Sequence, residues 1–516
     1  MMGTKTSKPM HTVCLRLDTA EYEGYLIDQS FHALSHIHNV LVKHAQKLLI
    51  RLKYDKDYQQ LRTEYTAFLK KHKVKQKLSK AETAYKKNLS DRMKIIRQDM
   101  GFSEYSFQSY IKKCAKQYHK LLSSQQVQKE ATRVWQSAEK YLFSDGKAVH
   151  FKKYRDFDTI GGKSTKNGMR FDTKTFSAVW MGHTYKVKCP KKSSMDYVYE
   201  ALSSDISYCD VKRRMFPNGW HYYIVVILKG PAPKKLTAGN KACGIDPGVS
   251  TMAAVSDEDV YLEELAPDIG KYNKEIVDTQ YHMDLSKRAS NPDKYNPDGT
   301  IDKSNPDRWK FSKTYIRRRN RLKNLYRVRS DYIKQSHSGL VNKLLKDARD
   351  FYIEDMDYKA LAKRSKDTER SDRISEVKTK DGSVKQVHKY KRKKRYGRSL
   401  NNRAPALFIR LLEQKALLYG GSVTKIATKD YKASQYDHST DTCAKAPLSQ
   451  RTKIIDGRTV QRDLYSAFLI LNTDDTFTHP DRDKCMSTFD SFVRRQDKLI
   501  SEMKKSNISM KQCFGF

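Results

Sequence analysis

Residues 242–255 read ACGIDPGVSTMAAV, and this stretch decides the fold expected for the second half of the chain. A short apolar run ends at Asp246, a Pro-Gly pair follows, and a second apolar run begins at Thr251. The pattern predicts a strand, a tight turn and a returning strand, with the Asp246 carboxylate at the end of the first strand. A similar pattern holds phosphate in actin-like ATPases, and a structural turn with a capping aspartate is the simpler alternative.

Two later stretches place further carboxylates at the ends of predicted elements. Residues 348–356 read ARDFYIEDM, a short strand that delivers Glu354 and Asp355 at its end. Residues 460–471 read VQRDLYSAFLIL, a helix that Asp463 opens and that carries one apolar face. Each signal is weak alone, because an aspartate at the start of a helix is more often an N-cap than a ligand.

The order of the three elements makes them informative together. An aspartate on a first hairpin strand, a glutamate on a later strand and an aspartate opening a late helix form a ribonuclease-H-like arrangement. Asp246, Glu354 and Asp463 are therefore the candidate catalytic and metal-binding residues. Their oxygens suit Mg²⁺, and two such ions about 3.5 to 4 Å apart can serve an in-line phosphodiester displacement. We expect two Mg²⁺ ions, which Mn²⁺ can replace.

The composition indicates a polyanionic partner. The 516 residues include 101 Lys and Arg against 59 Asp and Glu, a formal net charge of +42 at pH 7. Nucleic acid relieves such self-repulsion, and 38% hydrophobic and 11% aromatic residues place the charge on a folded body. Eight cysteines without a Cys-x-x-Cys pair fit reduced thiols in a cytosol. The longest apolar run, residues 222–228, is far shorter than the roughly 20 residues of a membrane span, so we expect no membrane partner.

The hydrophobic periodicity changes along the chain and predicts an α+β fold with several domains. Period two indicates strands, and spacings of three and four indicate helices. The expected regions are a first strand at 1–18, a helical region at 19–146, a β-rich region at 147–235, the carboxylate-bearing region at 236–472, and a helix and tail at 473–516. Within the fourth region, three Asn-Pro-Asp turns mark an insertion at 288–309 that we expect to be a flexible connector.

A basic helix is the first candidate for nucleic-acid contacts. In residues 316–329, Leu322, Leu325 and Tyr326 share one helical stripe, and basic side chains surround the rest. Arginine donates paired hydrogen bonds to phosphate, although a solvated helix face is the alternative. The basic candidates in this helix are Arg317, Arg318, Arg319, Arg321, Lys323 and Arg327.

A second basic run at 389–395 adds Lys391, Arg392 and Lys393 as further candidates. Flanking glycines predict a mobile basic loop there, and a nuclear-import signal is the competing interpretation.

Five motifs make the sequence resemble the TnpB family of transposon-encoded RNA-guided nucleases, to which the compact type V CRISPR effectors are similar. They are GIDPG at 244–248, the apolar run that ends in Glu354-Asp355, NNRAP at 401–405, Ser434-Gln435 and Arg462-Asp463. The resemblance implies a bilobed protein in which a split, ribonuclease-H-like RuvC nuclease domain lies beside a helical recognition lobe and a β-rich wedge domain. It also implies that Asp246, Glu354 and Asp463 are the metal-binding catalytic triad.

By this resemblance the chain is expected to be an RNA-guided DNA endonuclease that cleaves in a single RuvC site, after guide pairing beside a short adjacent motif. The expected partners are a guide RNA and double-stranded target DNA, and the chain is a monomer or a homodimer. The expected location is the prokaryotic cytoplasm, with action at the nucleoid. A guide-independent transposase or resolvase-type nuclease is one alternative. A nuclease-inactive RNA-guided DNA-binding repressor is another, disfavoured because all three carboxylates are present.

One segment departs from the family pattern. Members usually carry a zinc ribbon of paired Cys-x-x-Cys motifs between the serine-containing turn and the last catalytic aspartate. Residues 434–462 contain only His438 and Cys443, too few for a four-ligand tetrahedral site. We therefore expect no zinc, and a degenerate zinc-ribbon-like loop held by packing and hydrogen bonds.

Overall fold

The computed structural model of the chain describes residues 9–72, 78–143, 146–216, 218–362, 370–378, 384–390, 396–447, 450–505 and 514. These residues form two compact units, Met1–Pro233 and Lys234–Phe516, with both helices and strands in each. Among the described residues, no helix has the length and apolar character that crossing a bilayer requires.

The first unit combines a group of helices with one antiparallel sheet. Its helices are α1 (Glu21–Tyr54), α2 (Lys56–Lys71), α3 (Lys80–Asp99), α4 (Glu104–Ala115), α5 (Ser124–Phe143) and α6 (Lys192–Leu202). Its strands are β1 (Met10–Asp18), β2 (Thr159–Ile160), β3 (Arg170–Asp172), β4 (Ser177–Trp180), β5 (His183–Val187), β6 (Ile206–Phe216) and β7 (Gly219–Lys229).

The first strand of the chain lies in the middle of this sheet. The seven strands follow the order β2-β6-β7-β1-β5-β4-β3, and β1 pairs antiparallel with β7, so that Val13 faces Val226. Burial alternates along β1, and Val13, Leu15 and Leu17 are the buried side chains. The period-two pattern of β1 thus finds its partners about two hundred residues away, and the same core continues into α1 and α5.

The second unit has a longer list of elements around a mixed sheet. Its strands are β8 (Lys241–Pro247), β9 (Thr251–Ser256), β10 (Val260–Glu264), β11 (Ala348–Glu354), β12 (Arg370–Lys378), β13 (Val384–Tyr390), β14 (Val423–Ile426), β15 (Tyr436–Asp437), β16 (Thr442–Cys443), β17 (Thr452–Ile455) and β18 (Arg458–Gln461). Its helices are α7 (Ile269–Ala289), α8 (Lys313–Asp347), α9 (Tyr358–Ala362), α10 (Gly397–Arg403), α11 (Pro405–Leu418), α12 (Thr428–Tyr431), α13 (Arg462–Leu471) and α14 (Arg482–Lys505).

The central sheet of the second unit has five strands in the order β10-β9-β8-β11-β14. The first three strands form an antiparallel meander, whereas β11 and β14 run parallel to β8. Apolar side chains cover both faces: α13 and α14 pack on one, and α8 and α11 pack on the other. Buried on both sides, the strands carry nearly continuous apolar runs, which explains the sequence of residues 242–255.

The insertion between α7 and α8 contains its own hydrogen bonds, and the expectation of a flexible connector at 288–309 stays a prediction. The Asn291 side chain donates to the Lys310 carbonyl and accepts from the Lys310 N–H, so it joins the two ends of the insertion. The Lys294 ammonium is buried and donates to the backbone and side-chain oxygens of Asn305. Two of the Asn-Pro-Asp turns therefore supply amides that close the loop.

Candidate metal centre

The first two candidate carboxylates lie side by side at one edge of the central sheet. Strands β8 and β11 are parallel neighbours, with Ile245 opposite Ile353. Asp246 and Glu354 directly follow these two residues, so both stand at the carboxyl ends of their strands. This placement follows from two apolar runs that each end in an acidic residue.

Strand alternation points both carboxylates towards α13. Side chains two residues apart share a face of a sheet, so Asp246 lies on the face of Gly244, and Glu354 lies on the face of Tyr352. Gly244 contacts the backbone of α13, and Tyr352 packs against the apolar cluster that α13 forms. The alternate residues, including Ile245, belong to the core on the opposite face.

The third carboxylate reaches the same edge on the first turn of α13, which packs across β8 and β9. A Cβ atom at Gly244 would overlap the Ala467 carbonyl oxygen and the Leu471 backbone, so only glycine allows this close approach. The N-cap of α13 is Gln461, whose side chain accepts from the Leu464 N–H at 2.7 Å. Asp463 is therefore not the capping residue, and the ordinary explanation for an aspartate at this position does not apply.

The charges of the three carboxylates interact at Asp246. Burial raises the pKa of Asp246 well above its usual range, and the negative charges of Asp463 and Glu354 raise it further, while Arg462 opposes the shift. Burial also raises the pKa of Glu354 to about 7, against a hydrogen bond from the Ala433 backbone N–H. A cation placed between these groups would remove the repulsion that raises the pKa of Asp246.

Asp463 has its own cationic partners. The Arg462 guanidinium donates to Asp463 Oδ1 through Nε at 3.1 Å and Nη2 at 3.0 Å. Arg451 Nη1 lies 3.7 Å from Asp463 Oδ2. Arg462 Nη1 also donates to the Gln450 carbonyl at 3.1 Å, which ties the side chain to the segment before β17. Both oxygens of Asp463 thus face positive charge.

The donor set fits Mg²⁺ in its chemistry, because it consists of hard carboxylate oxygens from three separate elements. Within the described ranges, no group of three or more His, Cys, Asp or Glu side chains stands ready to hold a metal ion. The Asp463 oxygens face Arg462 and Arg451 in this structure. The assignment of Asp246, Glu354 and Asp463 as Mg²⁺ ligands therefore stays a prediction, and ligation requires Asp463 to exchange an arginine for the metal.

Two residues beside the carboxylates were not foreseen from the sequence. Tyr358, on α9, donates to the Pro247 carbonyl at 3.3 Å. Burial and the negative charge of Asp246 raise the pKa of the Tyr358 hydroxyl, so the ring lies near that carboxylate. Arg451 is the second, and no local pattern identifies either residue. The adjacency of Arg462 and Asp463 was the one signal available in the sequence.

The described residues of the segment 434–462, where we expected a degenerate zinc-ribbon-like loop, are held by hydrogen bonds and aromatic packing. His438 is fully buried, its Nδ1 lies 2.7 Å from the Tyr465 hydroxyl, and its ring contacts Phe489. Arg482, at the start of α14, donates to the His438 carbonyl at 2.9 Å. Cys443 is exposed on β16. His438 therefore serves the core in this structure, and the expectation that no zinc binds stays a prediction.

The NNRAP motif at 401–405 anchors the helices that precede β14. The Arg403 guanidinium donates to the Leu265 and Ala266 carbonyls, just after β10. Arg329, on α8, donates to the Asn402 side chain at 2.9 Å. This motif therefore stabilises the second unit by joining α8, α10 and the end of the meander.

The basic candidates on α8 have different environments. Arg317 and Arg321 are exposed, and Arg321 Nη2 lies 3.7 Å from Glu275 on α7. Arg318 donates to the His282 carbonyl at 3.0 Å, and Arg327 pairs with Asp331 at 2.8 Å. Half-buried side chains on this helix are Arg318, Arg319, Lys323 and Arg327. Nucleic-acid contact by any of the six stays a prediction.

The other basic candidates, Lys391, Arg392 and Lys393, lie outside the described residues, so their assignment also stays a prediction.

Comparison with known proteins finds similarity at the level of structure alone. No protein-family model matches this sequence, and no curated protein matches it. A Cas12f1–sgRNA–target DNA complex is 12% identical, with 90% of this chain and 99% of that chain covered at a TM-score of 0.44. A CRISPR–Cas12f ternary complex is 11% identical, with the same coverage and a TM-score of 0.25.

A third similar structure is a Cas12i1 R-loop complex, 8% identical, which covers 94% of this chain and 64% of that chain at a TM-score of 0.24. All three TM-scores are below 0.5.

Proposed function

We propose that this chain is a metal-dependent nuclease whose site consists of Asp246, Glu354 and Asp463. The proposal is supported by the position of Asp246 and Glu354 at the carboxyl ends of two paired strands, where burial and then the charges of Asp463 and Glu354 raise the pKa of Asp246. An aspartate on the first strand of a meander, a glutamate on the adjacent parallel strand and an aspartate on a late helix form the ribonuclease-H-like arrangement. The net charge of +42 supports a nucleic-acid substrate.

The residues around the site support phosphodiester hydrolysis. Asp246, Glu354 and Asp463 would hold Mg²⁺, which supplies activation of water and stabilisation of the leaving oxygen. Glu354 must be deprotonated before it can ligate, so binding of Mg²⁺ tightens as pH rises through about 7. The raised pKa of Asp246 acts in the same direction. Arg462 and Arg451 bring positive charge to the approach of a backbone phosphate, and they can transfer from the Asp463 carboxylate to phosphate oxygens.

We further propose that a guide RNA directs the nuclease to DNA. The support is the resemblance of five motifs to the TnpB family and the basic surface of α8, where Arg317 and Arg321 are exposed. The partners would be a structured guide RNA and double-stranded target DNA. A guide-independent nuclease would share the carboxylate chemistry, so RNA dependence is the property that separates the two.

The test has two parts. The protein purified from its host is expected to carry a discrete RNA, and that RNA with Mg²⁺ should direct cleavage of DNA that contains the complementary sequence. Asp246→Ala should lower the cleavage rate by at least about 100-fold, because metal assistance contributes several kcal/mol, while guided DNA binding stays intact. The exposed neighbour of Glu354 offers a matched control, and Asp355→Asn should cleave normally.

Three outcomes would contradict parts of the proposal. Cleavage that persists after removal of the RNA would assign the chain to the guide-independent class. Wild-type cleavage by Asp246→Ala would remove the assigned site. Loss of both binding and thermal unfolding cooperativity in that variant would mean that Asp246 is structural.

A further inference from the structure

The first unit contains a cavity that lies outside the proposed nuclease site. Its volume is about 500 Å³, within the range of small-ligand sites. It lies where the end of α1, the start of α2 and the end of α5 meet residues 147–149. Leu52, Tyr58 and Val149 are buried side chains of its apolar wall.

Among the described residues that line this cavity, the charged side chains are Lys53, Arg62 and Lys147, and all three are exposed. The lining therefore selects an anion that also has an apolar surface, and nucleotides have both properties.

Large apolar side chains are exposed around the mouth of the same cavity. Tyr141 and Ile50 line it at 44% and 57% exposure. Aromatic rings interleaved with cations are the usual means of binding unpaired bases, because every base has a π-face and every nucleotide a phosphate.

Two glutamines fix the walls and offer acceptors. Gln46 Nε2 donates to the Val149 carbonyl at 2.9 Å, and Gln59 Nε2 donates to the Leu52 carbonyl at 2.8 Å. Each amide thus uses one of its two N–H groups on the backbone, and its carbonyl oxygen is an acceptor that a ligand can use. An acceptor of this kind suits a ribose 2′-hydroxyl, which DNA lacks.

We propose that this cavity binds an unpaired nucleotide of single-stranded RNA, with the base against Tyr141 and the backbone phosphates near Lys53, Arg62 and Lys147. The proposal concerns the first unit and does not depend on the nuclease chemistry. RNA binding in this cavity can therefore be tested whether or not the carboxylates of the second unit have a catalytic role.

The test uses the full chain in EDTA and a five-nucleotide RNA with 5-iodouridine at its centre. Ultraviolet cross-linking and peptide mass spectrometry are expected to identify Tyr141 or an aromatic neighbour at the cavity mouth. Tyr141→Leu keeps the site apolar but removes the ring, and it should weaken binding about tenfold, since a base–aromatic stack is worth that much. Tyr105→Leu is the matched control, because Tyr105 is 73% exposed on α4 of the same unit.

A charge-matched pair of triple variants separates a site from general attraction. Lys53→Gln with Arg62→Gln and Lys147→Gln should weaken RNA binding at least tenfold more than Lys87→Gln with Arg92→Gln and Lys113→Gln. The control residues are exposed on α3 and α4 and remove the same charge. Equal losses in the two triples, cross-links spread over other tyrosines, or equal affinity for the deoxy version of the probe would each overturn the proposal.

Discussion

Two buried glutamates, one in each unit, have opposite pKa shifts. Glu130 on α5 is 2% exposed, and Glu354 at the end of β11 is 9% exposed. Burial raises the pKa of both carboxyls, but His38 and Arg133 reverse the effect at Glu130, so its pKa lies below the usual value. At Glu354 burial dominates, and the pKa is raised to about 7. The comparison separates two kinds of buried carboxylate. Glu130 is neutralised by cationic side chains of the protein itself, whereas Glu354 is left for an external cation.

The geometry explains the contrast. His38 Nδ1 lies 2.7 Å from Glu130 Oε1, and Arg133 Nη1 lies 3.2 Å from Glu130 Oε2. Both oxygens are therefore occupied by partners on α1 and α5. At Glu354 the pKa is lowered only by a backbone N–H, and a nearby carboxylate, Asp246, competes for any positive charge. We infer that the Glu130 pair serves stability and that the Glu354 site serves binding.

The largest expected change in the free energy of unfolding is at Glu130, where the protein itself supplies the cationic partners. Glu130→Gln should lower the free energy of unfolding by about 3 kcal/mol, towards the low end for a buried pair because Arg133 is partly exposed. Denaturant unfolding of the full chain followed by circular dichroism measures the change. Glu200→Gln, on the exposed side of α6 in the same unit, should change stability little. If Glu130→Gln left the free energy of unfolding unchanged, the proposed difference between Glu130 as a stabilising residue and Glu354 as a binding residue would be wrong.

The second-largest expected change in the free energy of unfolding is stabilisation by Mg²⁺ at the proposed metal site. Mg²⁺ at about 100 times its dissociation constant should stabilise the folded protein by about 2.7 kcal/mol. Calorimetry without nucleic acid measures the shift in unfolding temperature. Asp246→Asn should abolish it, and Asp355→Asn should retain it. The same shift in Asp246→Asn would place the metal elsewhere and would leave the three carboxylates without a shared ligand.

The smallest effect is the pH dependence of Glu354 itself. Its folded-state pKa of about 7 lies above the ordinary value of 4.5, so the folded protein binds more protons than the unfolded chain between these values. Stability should therefore fall as pH rises from about 4.5 to 7 in the absence of metal. Glu354→Gln should reduce this slope, since Asp246, whose pKa is also raised, contributes the rest, and the variant should be more stable than the wild type at pH 8. A wild-type slope of the opposite sign would contradict the comparison.

The candidate site could be predicted in part because its residues end local patterns. Apolar runs ending at Asp246 and Glu354 identify strand ends, and the 3.6-residue spacing after Asp463 identifies a helix. Their closeness in space depends on the parallel pairing of β8 with β11, which brings together residues more than one hundred positions apart. The order of the elements suggested that pairing, although no single motif required it.

Other features could not be predicted because they arise from tertiary contacts. The contact of Arg451 with Asp463 and the position of Tyr358 near Asp246 depend on where a loop and a short helix pack. The cap of α13 is a glutamine, which is not among the residues that favour this position, so Asp463 had seemed the better candidate. The amide network that Asn291 and Lys294 complete in the insertion was not foreseen, because turn signals report only local bends.

The contact between Gly244 and α13 lets a residue without a reactive side chain determine where the proposed metal ligands lie. The helix rests directly on the strand backbone at this point, and Asp463 and Asp246 extend from the same two elements. A single methyl group at position 244 would overlap the α13 backbone and would displace the helix, together with the Asp463 carboxylate, away from the sheet. The absence of a side chain at Gly244 therefore sets the distance between the Asp246 and Asp463 carboxylates, and so whether both can bind one ion. Gly244 has this effect without itself contacting the substrate.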